Sequence, residues 1–284
     1  MVLTVIVVLL GVGAYIAYTA YHRYVVQLLT VPGCQAGTGD KAIALDFGQA
    51  ADAATIAAVA TRERLPARAL TIAYATAWQE SKLENLTYGD RDSVGIFQQR
   101  PSMGWGSAKS LQDPAYASRA FFRALVKVKN YTTIPVYQAA QDVQHSADGY
   151  AYDQYTQSGE LLAKYYTSAP HAVTCWYNPG TQAANDGVSP RLNLTAAQKG
   201  LADAFGKPEA GSAVTRVTRI RSGQAAVVKA PSWSGWAVAN WLMANATSYG
   251  ITQVSYAGYH WTATLTESSW QRDPSASAGG IVAS

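Results

Sequence analysis

Glu80 is the residue whose surroundings best suit it to act as a general acid. It lies at the carboxyl end of an apolar segment, ALTIAYATAWQES, and a polar loop begins directly after it. A carboxyl group held against Trp78 and several alanines is partly removed from water, and desolvation raises the pKa of a carboxyl group. A raised pKa keeps a proton available near neutral pH for delivery to a leaving group. The alternative is an ordinary glutamate at a helix end in water.

A glycine- and glutamine-containing element follows Glu80 at a defined distance. Ser81 adjoins the glutamate, and fifteen residues after Glu80 the chain reads GIFQQRP from Gly95 to Pro101. Glycine allows a close backbone approach, and a glutamine side chain offers two donors and one acceptor. A Glu-Ser pair alone carries no information, but the pair and the later element together indicate one site.

This combination resembles the soluble lytic transglycosylases of the lysozyme-like superfamily, in which a Glu-Ser pair precedes Gly-Leu-Met-Gln-x-x-Pro by the same interval. Glycine, glutamine and proline match as Gly95, Gln98 and Pro101, and Ile-Phe replaces Leu-Met. The string GDRDSVGIFQQRPSMGWG also resembles the actinobacterial cell-surface branch of the superfamily. The resemblance spans about residues 48–175 and implies a mostly helical, lysozyme-like α+β domain.

The resemblance also implies roles for individual residues. Glu80 would be the catalytic acid and base, and Ser81 would bind substrate or support the cleft beside it. The other candidate substrate-binding residues are Ser93, Gly95, Gln98, Gln99, Trp105 and Gln141. No cofactor and no metal ion is expected, because the four histidines are scattered without the spacing of ligands.

The reaction implied by the resemblance is cleavage of the β-1,4 bond between MurNAc and GlcNAc in peptidoglycan. In a lytic transglycosylase the muramic acid's own 6-hydroxyl attacks, so one carboxylate acts first as acid and then as base. A muramidase would use a second carboxylate, for which Asp90 and Asp92 are the candidates. Aspartates in a GDRDS segment are more typical of loop stabilisation through arginine or backbone N–H groups. We therefore expect transglycosylation rather than hydrolysis.

One element of the family pattern is missing. The family carries Ala-Tyr-Asn-Ala-Gly, whose tyrosine contacts the catalytic glutamate, whereas the expected helix here reads AAQDVQ from Ala139 to Gln144. Either Gln141 or a nearby tyrosine such as Tyr137 would replace that contact, or the site would be weakened. The second case leaves a non-catalytic alternative, a peptidoglycan-binding scaffold with little or no turnover.

Helices are expected to position these residues. The Ala-rich stretch 50–81 predicts two helices, with Pro66 near the start of the second, and the punctuated stretch 82–106 predicts a loop. Further helices are predicted at 113–128, 136–147, 150–166 and 194–205. The last segment predicts a strand over 213–220, a helix ending at Gly250 and a hairpin turning at Ala257-Gly258.

Four regions follow from this pattern. Residues 1–32 would be a transmembrane anchor and stalk, and residues 33–180 the lysozyme-like transglycosylase domain. Residues 181–210 would form a linker and connecting helix, and residues 211–284 a small α/β module of unknown role.

The anchor is inferred from Val2 to Tyr21, an uncharged stretch whose ~20 residues would span ~30 Å as a helix, the thickness of a bilayer core. Without a small-residue cleavage site it predicts a single-pass cell-membrane protein with an extracellular catalytic domain. The expected partners are peptidoglycan strands, the membrane, and a membrane, secretion or conjugation complex through residues 211–284. A net charge of +4 without a long basic run argues against a dedicated nucleic-acid binder.

Two cysteines, Cys34 and Cys175, bracket the predicted catalytic domain. In an exported protein such a pair predicts a disulfide that closes a long loop and contributes ~2–4 kcal/mol. The alternatives are two free buried thiols, or lipidation of Cys34, since VPGC is close to a lipobox although Pro32 breaks that pattern.

Overall fold

The computed structural model of the chain describes residues 11–19, 21, 31–146, 148–181, 192–220, 224–265, 269–277 and 279–284. Within these ranges the chain is an α+β protein, as predicted, with most helices before residue 206 and most strands after it. The predicted anchor, residues 2–21, lies outside the described residues except for 11–19, which are helical, and 21. Among the described residues no helix combines the length and the apolar character needed to cross a bilayer.

The secondary structure consists of short elements. The α-helices are α1 at residues 11–19, α2 Phe47–Arg62, α3 Ala67–Ser81, α4 Ala108–Leu111, α5 Pro114–Leu125, α6 Val136–Gln144, α7 Thr156–Thr167, α8 at residues 179–181, α9 Leu194–Phe205, α10 Ser232–Ala244 and α11 Ala246–Tyr249. Short 3₁₀ helices lie at Gly39–Lys41, Pro101–Met103 and Gly149–Tyr155. The strands are β1 Gly33–Ala36, β2 Ile43–Leu45, β3 Val173–Trp176, β4 Arg216–Ile220, β5 Ala225–Lys229, β6 Gln253–Tyr256, β7 Tyr259–Thr262, β8 Gln271–Arg272 and β9 Ile281–Ala283.

The predicted helix positions are confirmed, and local signals explain their ends. Pro66 is the N-cap of α3, and α5 begins after Asp113, whose side chain accepts a hydrogen bond from the Ala115 N–H at 2.9 Å. Asn193 caps α9 through its side chain, and Gly206 follows the last residue of that helix. The predicted helix 150–166 divides into the 3₁₀ helix Gly149–Tyr155 and α7.

Two antiparallel sheets complete the fold. The first has the order β2-β1-β3 and was not predicted, because its three strands are only three or four residues long. The second has the order β4-β5-β9-β6-β7-β8. The predicted hairpin is confirmed in β6 and β7, where Ala257 and Gly258 both have the positive φ that a tight turn of this kind needs.

The C-terminal region packs directly against the helical part of the chain. Helix α10 is buried against α2, and the Trp241 indole N–H donates to the Thr55 hydroxyl oxygen at 3.2 Å. The indole N–H of Trp261 donates to the Cys175 carbonyl oxygen at 2.9 Å. That of Trp270 donates to the Val173 carbonyl oxygen at 2.8 Å. Residues 211–284 therefore share one apolar core with the predicted catalytic domain.

The disulfide prediction is confirmed. Cys34 on β1 lies opposite Cys175 on β3, both side chains are buried, and the two sulfur atoms are bonded. The alternatives of free thiols and of lipidation at Cys34 are therefore wrong. The bond joins residues that are 141 positions apart, so it restricts the unfolded chain over nearly the whole helical part.

Asp52 is a buried carboxyl group in the middle of α2. It accepts a hydrogen bond from the backbone N–H of Asn85, in the loop that follows Glu80. Burial, with a smaller contribution from the negative charge of Asp46, raises the pKa of Asp52 to about 8. Asp52 is thus protonated at neutral pH and connects α2 to the loop beside the candidate site.

Replacing both cysteines by alanine is expected to lower the free energy of unfolding by about 2–4 kcal/mol, because the unfolded chain regains the freedom that the cross-link removes. Urea unfolding followed by tryptophan fluorescence measures this change. In reductant, the free energy of unfolding of the native chain should fall toward that of the variant, whereas the value for the variant should not change. An unfolding midpoint insensitive to both changes would contradict the prediction.

Asp52→Asn is expected to flatten the pH dependence of stability. Because folding raises the pKa of Asp52, its contribution is fully present below the unfolded pKa of ~4 and is lost as the pH rises to about 8. The native chain should therefore lose stability from pH 5 to pH 9, on the order of a few kcal/mol more than the variant. Denaturant unfolding at both pH values checks this, and equal losses in the two proteins would contradict it.

Candidate active site

A cleft of about 820 Å³ lies at the carboxyl end of α3. Its walls come from α3, the loop 82–106, the end of α5, and α6 with the turn that follows it. Six of the sequence-predicted residues line it, namely Glu80, Asp90, Ser93, Gln98, Gln99 and Trp105. Four others do not: Ser81, Gly95, Asp92 and Gln141.

The Glu80 carboxyl group is partly buried and hydrogen-bonded on one side. The Tyr152 hydroxyl donates to Oε1 of Glu80 at 2.6 Å, and the Gln144 amide donates to the same oxygen at 3.2 Å. Burial raises the pKa of Glu80, and the two hydrogen bonds oppose that shift without cancelling it. Within the described part of the chain no donor reaches Oε2, so the proton of the neutral acid is carried on Oε2.

The tyrosine contact missing from the expected helix is supplied by the next segment. Tyr152 belongs to the 3₁₀ helix Gly149–Tyr155 and is buried. Burial raises its pKa well above the usual range, and the negative charge of Glu80 adds to the shift, so the hydroxyl stays protonated as a donor. Sequence reasoning missed Tyr152, whose only signal was a tyrosine-rich stretch, GYAYDQY, after the helix.

The two residues expected to replace the tyrosine have other partners in the described structure. The Gln141 amide donates to the Ser146 carbonyl oxygen at 2.8 Å and accepts from the Ser146 hydroxyl at 2.8 Å. Gln141 therefore holds the turn after α6, and the donors to Glu80 are Tyr152 and Gln144 instead. The Tyr137 ring packs on Tyr150, with ring centroids 4.7 Å apart.

Gln144 connects the glutamate to the loop. Its amide nitrogen donates both to Oε1 of Glu80 and, at 2.8 Å, to the carbonyl oxygen of Phe97. One amide group has two N–H donors, so both bonds can form together. The end of α6 thereby fixes the distance between the carboxyl group and the GIFQ segment.

Ser81 explains the spacing that the sequence shows. Its buried hydroxyl lies 2.8 Å from the carbonyl oxygen of Ile96, fifteen residues later, and 3.1 Å from that of Ala77. The hydroxyl therefore ties the loop to the last turn of α3. Ser81 acts as a support for the cleft, one of the two roles expected for it.

Gly95 is required by packing within the protein. Its φ is +80°, and a Cβ atom built there would lie 2.5 Å from the Leu111 carbonyl oxygen in α4. Its N–H donates to the Leu86 carbonyl oxygen at 2.7 Å. The close contact with α4 is by itself sufficient to require the glycine, and its expected role in the approach of a sugar stays a prediction.

Gln98 and Gln99, which follow Gly95 in the cleft loop, differ in burial and in their hydrogen-bond partners. Gln98 has a φ of +47°, a strained backbone conformation, and its amide donates to the carbonyl oxygens of Tyr88 and Gly95 at 3.2 Å each. Gln99 is buried and donates to the Ala117 carbonyl oxygen at 3.3 Å. Among the described residues, the Gln99 Oε1 atom has no hydrogen-bond partner. The atom is itself buried, so it is an unsatisfied acceptor inside the protein, although Gln99 as a residue lines the cleft.

The aspartate candidates separate into one structural and one cleft residue. Asp92 accepts from Arg100 at 2.9 Å and from the Ser102 N–H at 2.7 Å, and these donors hold its pKa well below the usual range. Its predicted loop-stabilising role is confirmed. Asp90 lines the cleft, as does Asp142, which the sequence did not single out. Within the described ranges no three His, Cys, Asp or Glu side chains group as metal ligands would.

Tyr152→Phe is expected to raise the pKa of Glu80 further, because it removes a hydrogen bond that favours the charged form. The Glu80 carboxyl signal, assigned by its loss in Glu80→Gln, can be titrated by ¹³C NMR. Tyr150→Phe is the matched control, since this ring is exposed and packs on Tyr137. An unchanged or lowered pKa in Tyr152→Phe would show that the hydroxyl does not act on Glu80.

Comparison with known proteins assigns the chain to no family. No protein-family model matches the chain, and no curated protein matches it in sequence. The contacts around Glu80 and the register from Glu80 to Pro101 are therefore the observations from which a function is argued.

Proposed function

We propose that the chain is a peptidoglycan lytic transglycosylase with a lysozyme-like fold and Glu80 as its single acid and base. The observation that carries the proposal is the state of the Glu80 carboxyl group. It lies in an 820 Å³ cleft, its pKa is raised by burial, and Tyr152 and Gln144 donate to one of its oxygens. These are the properties of a group that donates a proton near neutral pH and is stabilised once the proton has left.

The proposed reaction proceeds in two proton transfers. Protonated Glu80 donates from Oε2 to the glycosidic oxygen as the bond between that oxygen and C1 of MurNAc breaks. The resulting carboxylate is stabilised by the hydrogen bonds from Tyr152 and Gln144. It then accepts the proton of the 6-hydroxyl as O6 bonds to C1, which yields a 1,6-anhydro ring. No water is consumed, and Glu80 returns to its protonated state.

Transglycosylation is preferred to hydrolysis because one of the two aspartates expected to act as a second carboxylate, Asp92, is already used in holding the loop. Asp92 is engaged by Arg100 and Ser102 outside the cleft lining. A muramidase is nevertheless a specific second candidate, since Asp90 and Asp142 both line the cleft. The scaffold alternative was motivated by a missing tyrosine contact, and the Tyr152 hydroxyl at Glu80 argues for turnover instead.

We further propose that the enzyme is a single-pass protein of the cell membrane with its catalytic part outside. The apolar stretch Val2 to Tyr21 supports an anchor, and the Cys34–Cys175 disulfide suits an oxidising compartment. Residues 211–284 are proposed to contact a membrane, secretion or conjugation complex. The exposed arginines Arg216 and Arg219 on the edge strand β4 would be available to such a partner.

Glu80→Gln is expected to reduce product release from purified peptidoglycan roughly 100-fold or more, because it removes the acidic proton and keeps the shape of the side chain. Mass spectrometry of the soluble products, with the native chain beside the variant, measures both rate and product type. Glu84→Gln is the matched control, since Glu84 is exposed in the loop that follows α3.

The products distinguish the three candidates. Anhydro-muropeptides that disappear in Glu80→Gln support the transglycosylase. Reducing ends would indicate a muramidase and direct attention to Asp90 and Asp142. Binding to peptidoglycan without release by either protein would instead indicate the scaffold.

A further inference from the structure

A second depression lies beside the cleft at Trp105. Its volume is about 300 Å³, and Trp105, Ala124 and Lys127 line both spaces, so the two spaces adjoin. Arg119 and Arg123 line this second space and not the first. The second depression is thus a basic pocket that adjoins the cleft.

The three cations form a row. Arg119, Arg123 and Lys127 recur every four residues, so α5 and the turn after it present them on one face. Arg119 donates to the backbone carbonyl oxygen of Asp203 at 2.7 Å, while the Asp203 carboxylate pairs with Lys199 at 2.6 Å. Among the described residues none of the three cations forms an ion pair within 4.0 Å.

The electrostatic surroundings of Arg119 agree with this arrangement. Its pKa is lowered, first by burial and also by the positive charges of Arg62 and Arg123, although Asp113 and Asp203 oppose the shift. A positive charge held under such conditions is stabilised by an added anion.

The loop residues Trp105 and Gly106, between the two spaces, pack closely on Tyr116 of α5. The Tyr116 hydroxyl donates to the Trp105 carbonyl oxygen at 3.3 Å. Gly106 has a φ of +135°, and a Cβ atom there would lie 2.5 Å from the Tyr116 hydroxyl oxygen. The loop therefore lies directly on α5, which places Trp105 beside the helix that carries Arg119 and Arg123.

We call this adjoining pocket the basic subsite; it consists of Arg119, Arg123, Lys127 and Trp105. We propose that the basic subsite binds carboxylates of the stem peptide attached to the glycan strand in the cleft. The inference rests on the proposed function. Stem peptides carry several carboxylates beside the sugar chain, and guanidinium groups bind carboxylates through paired hydrogen bonds. The position of the basic subsite directly beside the cleft favours an anion attached to the same strand over a phosphodiester of a separate wall polymer.

The test measures binding without turnover, in the full chain carrying Glu80→Gln. Adding Arg123→Ala and Lys127→Ala is expected to weaken binding to strands with intact stem peptides about five- to twentyfold. Binding to strands stripped of peptides by an amidase should stay unchanged. Arg119 is left in place because it also bonds to the Asp203 backbone.

The matched control is Arg216→Ala with Lys229→Ala, which removes the same charge from exposed positions paired across β4 and β5. Its binding to both kinds of strand should equal that of the Glu80→Gln parent. A third arm uses peptide-free strands that carry wall phosphodiester polymers.

Weaker binding confined to the peptide-bearing strands supports the basic subsite. No loss, or an equal loss on intact and stripped strands, overturns it while leaving the proposed function intact. A loss seen only with the phosphodiester polymers overturns it in favour of a phosphate ligand. If the Glu80→Gln parent binds no strand at all, the proposed function fails together with the inference.

Discussion

The Glu80 carboxyl group is kept partly out of water by three segments that meet around it. Helix α3 carries it, the loop 82–106 covers one side, and α6 with the following 3₁₀ helix supplies the donors Gln144 and Tyr152. Burying an ionisable group costs free energy unless partners are provided, and here they are provided to one oxygen. The rest of the fold serves to hold these three segments in register.

Close helix packing supplies the rigidity that this arrangement needs. The buried face of α3 is mostly alanine and threonine, which lets neighbouring backbones approach. A Cβ atom at Gly159 in α7 would lie 2.6 Å from the Thr71 carbonyl oxygen of α3, so only glycine fits at that contact. Helix α10, residues 232–244, packs on α2 and α7 and extends the same core. The helix that bears Glu80 is therefore surrounded by elements from distant parts of the chain.

Local features of the site could be predicted and distant ones could not. The fixed spacing between Glu80-Ser81 and the GIFQ segment can be seen in the sequence. Its structural counterpart is one hydrogen bond, from the Ser81 hydroxyl to the Ile96 carbonyl oxygen fifteen residues later. The Tyr152 contact depends on the left-handed turn at His145 and on a 3₁₀ helix, neither of which has a periodic signature. Likewise, β1 and β3 have only four residues each and are separated in sequence by most of the helical region. Strands this short have too few residues to show an alternating pattern, so the sheet could not be predicted.

The position of β9 has a consequence for the order in which the molecule is assembled. Residues 281–283 form the strand that joins β4 and β5 to β6, β7 and β8. Since ribosomes make a chain from its amino end, the two halves of this sheet stay unconnected until the last of these residues has emerged. The indoles of Trp261 and Trp270 anchor that sheet to β3 beside the disulfide. The sheet that packs on the helical region is thus complete only once residues 281–283 are in place, and a deletion that removed them would separate its two halves.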